Sequence, residues 1–174
     1  MNIFVVDYDP QWACKYVEES EQIMKVLGDE LVELHHIGST AVEGLKAKPI
    51  IDMMPVVKDI NKVDQLNNLF IALGYEPMGE LGISGRRYFR KGGDNRTHQI
   101  HIFQQGNDYH INRHLAVRDY LRQHPKVAQE YGTLKSNLAA LYPQDIDGYC
   151  DGKDDFMQKL EAKALDWFAS QSSF

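Results

Sequence analysis

The sequence predicts an α+β protein in which a mixed β-sheet is flanked by helices and followed by a helical carboxy-terminal third. Two apolar runs of strand length follow an amphipathic helix near the amino terminus. Two further β-like runs, joined by a short Gly/Asp/Asn loop, lie in the middle of the chain, and three helical patterns occupy the remainder. The order helix, two strands, helix, hairpin and helices indicates the α+β class with a mixed sheet.

The amino-terminal half carries two predicted helices and two predicted strands. The first helix follows Asp9-Pro10, a capping residue and a proline at the first helical position, and ends at Gly28. The second strand is apolar on both faces apart from Asp52, as expected for a strand covered on both sides. The predicted strands span 34–37 and 49–57, and the second helix is capped by Asn61 and closed by Gly74.

The carboxy-terminal half begins with a predicted hairpin. The runs "RRYFRK" (86–91) and "THQIHIF" (97–103) are joined by "GGDNR", which has the composition of a hairpin turn. Helices are then predicted over 113–123, 125–141 and 152–169. Asp151 and Asp154 stand at capping-box spacing at the start of the last of these helices.

Length and composition favour one globular domain spanning residues 1–174. Acidic residues outnumber Lys and Arg by 25 to 19, and the charges are mixed, so no broad basic face for nucleic acid is expected. We find no leader pattern and no apolar run near the roughly 18 residues that a membrane span requires. Cys14 and Cys150 share no spacing motif. We therefore expect a reduced, cytoplasmic protein without a membrane partner.

The segment Gly38-Ser39-Thr40 directly follows a predicted strand. Small side chains and free backbone amides at such a turn let a phosphate approach closely, although either hydroxyl can instead cap the next helix. Asp52 lies on the following apolar strand, and a buried carboxylate without a partner is costly, so this acid is either satisfied or used. A hairpin-like return would place Asp52 beside the Gly-Ser turn.

Further candidate residues lie near this turn in the predicted fold. In "THQIHIF", Gln99 and His101 share one strand face, and His101 can bind a metal, act as a general acid or base, or be a hydrogen-bonded structural residue. Lys48 precedes the second strand and Arg90 lies in the hairpin, and both cations suit a phosphorylated ligand. Arg90 is equally compatible with the solvated face of an amphipathic edge strand.

Five segments have a distinctive sequence: "YDPQW" (8–12), "HIGSTAVEGLKAKPIID" (36–52), "THQIHIF" (97–103), "LAVRDYLRQHP" (115–125) and "YCDGKDDF" (149–156). Together they resemble the GrpB family, which is assigned to the nucleotidyltransferase fold and is also found fused to bacterial dephospho-CoA kinases. The resemblance covers nearly the whole chain and implies that Gly38 and Ser39 contact phosphates and that Asp52 binds a metal. That fold usually adds a second acid two residues later, where this chain has Met54. The chain also lacks the Gly-x-x-x-x-Gly-Lys-Ser/Thr loop of the kinase.

We therefore hypothesise a nucleotidyltransferase-like enzyme that binds a nucleotide and Mg²⁺ or Mn²⁺ and transfers a nucleotidyl group to a small molecule or protein. Asp52 and His101 are the candidate catalytic residues and metal ligands. The candidate phosphate-binding residues are Gly38, Ser39, Thr40, Lys48 and Arg90. Two alternatives stay open: a catalytically degenerate accessory or sensor protein that binds a nucleotide or CoA, and a protein-interaction module whose helices dock on a partner.

Overall fold

A computed structural model describes residues 1–171. The helices are α1 (Gln11–Leu27), α2 (Ile60–Val63), α3 (Asn67–Ala72), α4 (Asp108–Gln123), α5 (Pro125–Leu141) and α6 (Ile146–Gln171). The strands are β1 (Leu31–Ile37), β2 (Ile51–Val57), β3 (Tyr75–Pro77), β4 (Arg87–Lys91) and β5 (His98–Gln104). Short 3₁₀ turns occupy Gly28–Glu30, Ser39–Ala41 and Asp64–Leu66.

The five strands form one mixed sheet in the order β1-β2-β5-β4-β3. The β2–β5 pair is parallel, whereas β1–β2, β4–β5 and β3–β4 are antiparallel. In this register Asp52 lies opposite Ile37 on one side and Gln99 on the other. The predicted α+β class with a mixed, helix-flanked sheet and a helical carboxy-terminal third is therefore confirmed.

The central strand β2 is covered on both faces, which explains its nearly continuous apolar sequence. Met53 and Val57 belong to the core that α1 and α3 close with Trp12, Ile23 and Phe70. Because alternate residues on a strand point to opposite faces, Asp52, Met54 and Val56 face the other layer. On that face Met54 and Val56 pack with Ile111 of α4 and with Leu115. Asp52 is thus an acid at the end of a buried apolar stripe.

The carboxy-terminal helices hold the chain that connects β1 to β2. Val42 and Leu45 of this connection pack in one core cluster with residues from α4, α5 and α6. These helix residues are Leu121, Ala128, Tyr131 and Leu160. The turn after β1 is therefore enclosed between the sheet and the helical layer. Within residues 1–171, the helices are too short or too polar to cross a membrane.

Several predicted boundaries differ from the structure. The last helix begins at Ile146 rather than residue 152, so Asp151 and Asp154 lie inside α6 and form no capping box. Asp145 serves the start of this helix instead, because its Oδ1 accepts a hydrogen bond from the Gly148 amide at 3.0 Å.

The second predicted helix is also capped and divided differently. Asp59, not Asn61, is its capping residue, and its Oδ1 accepts a hydrogen bond from the Asn61 amide at 3.0 Å. A 3₁₀ turn separates α2 from α3 within the predicted helix. The sequence did not predict β3, since Tyr75–Pro77 is too short to show alternation.

Candidate functional site

A cavity of about 310 Å³ lies between the sheet and the helical layer, where β1, β2 and β5 meet α4, α5 and α6. Its polar lining comes from the β1–β2 connection and from β2, β5, α4, α5 and α6. The lining includes Gly38, Ser39, Thr40, Lys48, Asp52, Gln99, His101, His114, Tyr131, Lys135, Tyr149 and Lys153. The structure thus brings together six of the seven residues proposed from sequence, and Arg90 is the exception.

The turn after β1 requires glycine at its first position. Gly38 has φ +73°, a left-handed conformation that side chains rarely adopt. A Cβ added there would lie 2.9 Å from Asp52 Oδ2 and 3.3 Å from Asp52 Cβ. The absence of a side chain therefore lets the Asp52 carboxylate pack directly against the backbone of the turn.

Asp52 is held by its neighbours on β5. The Nε2 atom of His101 lies 3.0 Å from Asp52 Oδ1. With its amide nitrogen turned toward Asp52, Gln99 also donates to Oδ1 at 2.8 Å. Arg86 Nη1 lies 3.4 Å from the other imidazole nitrogen, Nδ1 of His101, so Nδ1 is the acceptor and Nε2 carries the proton. His101 in this tautomer donates to Asp52 and offers no lone pair on that side for a metal.

Lys135 of α5 reaches the Gly-Ser turn. Its Nζ donates a hydrogen bond to Ser39 Oγ at 2.8 Å and lies 4.3 Å from the centre of the Tyr131 ring. The residue is only 2% exposed. Burial lowers the pKa of Lys135 to about 6, and repulsion from Lys153 and Lys48 contributes, whereas Asp52 opposes the shift. A buried amine therefore stands at the proposed phosphate position.

Two further lysines flank Lys135. The Nζ atoms of Lys48 and Lys153 each lie 5.0 Å from the centre of the Tyr149 ring. Burial, followed by repulsion from Lys153, lowers the pKa of Lys48. Among residues 1–171, no carboxylate lies within ion-pair distance of these three lysines. The cavity thus holds more positive than negative side chains.

Two buried polar atoms of the lining have no hydrogen-bond partner among the described residues. They are the hydroxyl of Tyr149 and Nε2 of His114. Burial lowers the pKa of His114 well below the usual range, and the nearby cations act in the same direction, so its imidazole is neutral. Buried polar groups are normally satisfied, and a bound molecule in the cavity would supply partners for both.

A separate set of contacts fixes the shape of the turn from its outer side. His36 Nε2 lies 2.9 Å from Thr40 Oγ1, which in turn donates to the Ile50 carbonyl at 3.4 Å. Burial lowers the pKa of His36 to about 4, so its imidazole is neutral at physiological pH.

Two arginines of α4 contact the backbone around the turn. Arg118 Nη1 donates to the His36 carbonyl at 3.2 Å, and Arg122 Nε donates to the Ala41 carbonyl at 2.9 Å. These arginines hold the backbone around the turn rather than line the cavity.

The structure places Arg90 away from the turn. Its Nε lies 3.0 Å from Glu76 Oε2 in an ion pair between β4 and β3. Arg90 is not part of the cavity lining. Arg90 lies on a partly solvated face of β4, but β4 is not an edge strand, because β3 pairs with it on the outer side.

The residues of the cavity do not fit a metal pair held by the protein. Within residues 1–171, no group of three or more His, Cys, Asp or Glu side chains could hold a metal ion. Met54, which stands where a second acid is usual in the nucleotidyltransferase fold, is fully buried in the core with Ile111 and Leu115. One carboxylate, Asp52, faces the cavity, and it already accepts hydrogen bonds from β5.

Sequence reasoning missed Lys135, Lys153 and Tyr149. Lys135 lies one helical turn after Tyr131 and before Leu138, which are both buried, so its place in the apolar stripe of α5 was an available signal. Tyr149 and Lys153 both fall within "YCDGKDDF", a segment that carried the family resemblance but received no role.

The sheet order and the Gly-Ser turn opposite an acid on β2 define a protein of the nucleotidyltransferase-like fold. A crystal structure of the Cid1 poly(U) polymerase with MgGTP bound supports this class, with a TM-score of 0.52 and 18% sequence identity over 78% of this chain and 44% of that chain. The chain belongs to the GrpB family, since the family model described as "GrpB protein" matches residues 2–163.

Individual relatives agree with this assignment. The crystal structure of the conserved protein GrpB from Enterococcus faecalis superimposes with a TM-score of 0.92 at 47% identity, covering 95% of this chain and 99% of that chain. UPF0157 protein YqkA of Bacillus subtilis (strain 168) is 47% identical over 163 residues, which is 94% of this chain but 47% of YqkA. A dephospho-CoA kinase of Mycobacterium leprae (strain TN) is 22% identical over 191 residues, and this chain spans 46% of its length.

Proposed function

We propose that this protein binds a nucleotide, or a CoA-like phosphorylated metabolite, with the phosphate groups at the Gly-Ser turn. The observation that carries this proposal is the contact of 2.8 Å between Lys135 Nζ and Ser39 Oγ inside the cavity. A hydroxyl and an amine side by side are donors that suit phosphate oxygens. Gly38 adds a place where a ligand can approach the backbone closely.

The charge of the cavity favours an anionic ligand. The cavity is lined by one carboxylate, Asp52, and by three lysines, Lys48, Lys135 and Lys153. Field lines from like charges concentrate in a cleft with low-dielectric walls, which attracts ligands of opposite sign. The unpartnered Tyr149 hydroxyl and His114 Nε2 would hydrogen-bond the remaining polar atoms of such a ligand.

The relatives suggest which anions to test. A neighbour in fold is a polymerase with a bound nucleotide, and a relative in sequence is a dephospho-CoA kinase. Nucleoside triphosphates and CoA are therefore the first probes. Mg²⁺ commonly binds one or two carboxylates plus substrate phosphates. If a divalent ion arrived with the nucleotide phosphates, the cavity would offer it one carboxylate, Asp52.

Nucleotidyl transfer is a second candidate function, favoured by the 3.0 Å contact between His101 Nε2 and Asp52 Oδ1. In this reaction an acceptor hydroxyl oxygen bonds to the α-phosphorus, the bond to the bridging oxygen breaks, and pyrophosphate leaves. Asp52 would accept the hydroxyl proton, and His101 would orient the carboxylate. Asp52→Asn should abolish such transfer, and undiminished transfer by this variant would contradict the assignment.

Isothermal titration with ATP, GTP, CTP, UTP and CoA, each with and without Mg²⁺ or Mn²⁺, tests the binding proposal. We expect saturable binding of at least one of these probes. Lys48→Met should weaken it about tenfold, as expected for loss of one charge-assisted contact, whereas Lys58→Met, at an exposed lysine outside the cavity, should not. Absence of binding by every probe under every condition would overturn the proposal.

A further inference from the structure

We propose that the three cavity lysines, with Lys135 at their centre, take the place of divalent metal ions, so that the site binds the phosphate groups of its ligand without Mg²⁺ or Mn²⁺. This inference rests on the binding function proposed above. Lys135 and Lys153, together with Lys48, would thus neutralise the negative charge of the ligand's phosphate groups.

Met54 occupies the position at which a second metal-binding acid would stand. Met54 follows Asp52 on the same face of β2, but its side chain is fully buried with Ile111 and Leu115. The helix α4 therefore closes this position with apolar side chains. A change of Met54 to an acid would bury a carboxylate in that core rather than place it in the cavity.

Asp52 itself is held by protein contacts. Its Oδ1 accepts hydrogen bonds from His101 and Gln99, and its Oδ2 packs against Gly38. Both carboxylate oxygens thus have protein neighbours already. The arrangement holds the acid against the turn, and the two hydrogen bonds to Oδ1 supply partners that a metal ion would otherwise provide.

The three cavity lysines lack acidic partners among the described residues. A buried amine is costly to protonate unless a counter-charge lies near, and the described part of the chain places no carboxylate within ion-pair distance of the buried Lys135 or of the half-buried Lys48 and Lys153. Lys135 donates to a neutral hydroxyl, and all three amines lie near tyrosine rings. Their contact with the rings compensates only part of the lost hydration.

A phosphate ester with at least two negative charges supplies the missing counter-charge, which favours the protonated form of Lys135 in the complex. Bound at Ser39, it would contact Lys135 directly and lie between the amines from the β1–β2 connection and from α6. A ligand whose phosphates already carry Mg²⁺ presents less negative charge to these amines. The lysines therefore favour the metal-free form of a nucleotide or of CoA.

The test compares ATP and CoA binding in excess EDTA with binding in excess Mg²⁺. For the unsubstituted chain we expect affinity in EDTA that equals or exceeds that in Mg²⁺. Lys135→Met should weaken binding in EDTA by about 30-fold, the range for a buried charge-assisted hydrogen bond. The matched control is Lys126→Met, at an exposed lysine of the same helix, and it should leave affinity within about threefold of the original.

The outcomes are distinguishable. Binding of ATP and CoA only when Mg²⁺ is present would overturn this inference and leave the binding function standing. Binding in EDTA that survives Lys135→Met unchanged would also overturn it. No binding of either probe in both solutions would overturn the proposed function and this inference together. Thermal unfolding checks that Lys135→Met is folded, and if it is not, Lys153→Met replaces it, with an expected loss of about tenfold.

Discussion

Lys135 of α5 donates a 2.8 Å hydrogen bond to Ser39, a residue 96 positions earlier in the chain. The contact joins the middle of the helical layer to the turn that follows β1. Because Ser39 also stands beside Gly38 and Asp52, this one bond brings an amine to the place where the sheet exposes its acid. The position of α5 therefore supplies one of the three lysines of the cavity.

Gly38→Ala should destabilise the protein more than Gly44→Ala. Both glycines have positive φ, so each alanine incurs a left-handed backbone cost of about 1 kcal/mol. At Gly38 the new Cβ would also lie 2.9 Å from Asp52 Oδ2, whereas nothing lies within 4 Å at Gly44. Urea unfolding should show a loss of about 2 kcal/mol or more for Gly38→Ala. Equal losses for the two variants would contradict the close packing of Asp52 on the turn.

Asp52→Asn should bind ATP in EDTA at least as tightly as the unsubstituted chain, and up to about tenfold more tightly. The substitution removes the one negative charge that faces the lysines and retains the shape of the side chain. Titration calorimetry measures this, with Asp29→Asn at an exposed position as the control. Weaker binding by Asp52→Asn in EDTA would contradict the view that the carboxylate opposes the negative charge of the ligand.

Thr40→Val should lower the free energy of unfolding by about 1–3 kcal/mol. The change keeps the volume of the side chain but removes the hydroxyl that contacts His36 and donates to the Ile50 carbonyl. The half-buried imidazole of His36 then has no partner on that side. Denaturant titration of Thr40→Val beside Thr133→Val, an exposed threonine, measures the difference, and an unaltered midpoint for Thr40→Val would refute the proposed support of the turn.

The stability of the protein should depend on pH through Lys135. Burial and the repulsion from Lys153 and Lys48 lower the pKa of Lys135 to about 6 in the folded state, although Asp52 partly opposes this. An unfolded lysine keeps a pKa near 10.4, so between these values the unfolded chain binds one proton more. The free energy of unfolding therefore rises with pH across this window.

Comparison with Lys135→Met isolates this effect. The methionine variant does not titrate, so it should be the more stable protein at about pH 6, and its advantage should shrink toward about pH 9. Urea unfolding at three pH values measures the difference between the two proteins in the free energy of unfolding. The contributions of titrating groups that both proteins share cancel in this difference. A constant difference between the two proteins would show that Lys135 keeps its ordinary pKa.

The local parts of the fold could be predicted because their causes are local. The helix after Asp9 begins where its carboxylate accepts from the Gln11 amide at 2.9 Å, and β2 lies where an apolar run demands cover on both faces. The start of α6 could not be predicted, since Asp145 and Asp151 are both acceptable caps and tertiary packing selects the first. A strand of three residues such as β3 carries too little pattern to detect.

The same distinction applies to the cavity. Gly38, Ser39 and Asp52 could be proposed because one short segment contains the turn and the strand that follows it. The contribution of Lys135 depends on how α5 packs over the sheet, and no local pattern encodes that distance. Arg90 shows the converse, because its charge suited a phosphate but the adjacent β3 supplied Glu76 as its partner.

A crystal structure of the protein grown with ATP or CoA in EDTA, using whichever probe binds more tightly, would show where the phosphate groups lie. We predict that a phosphate group lies within hydrogen-bond distance of both Lys135 Nζ and Ser39 Oγ. Phosphate groups bound outside this cavity, or at Asp52 without contact to Lys135, would contradict the account.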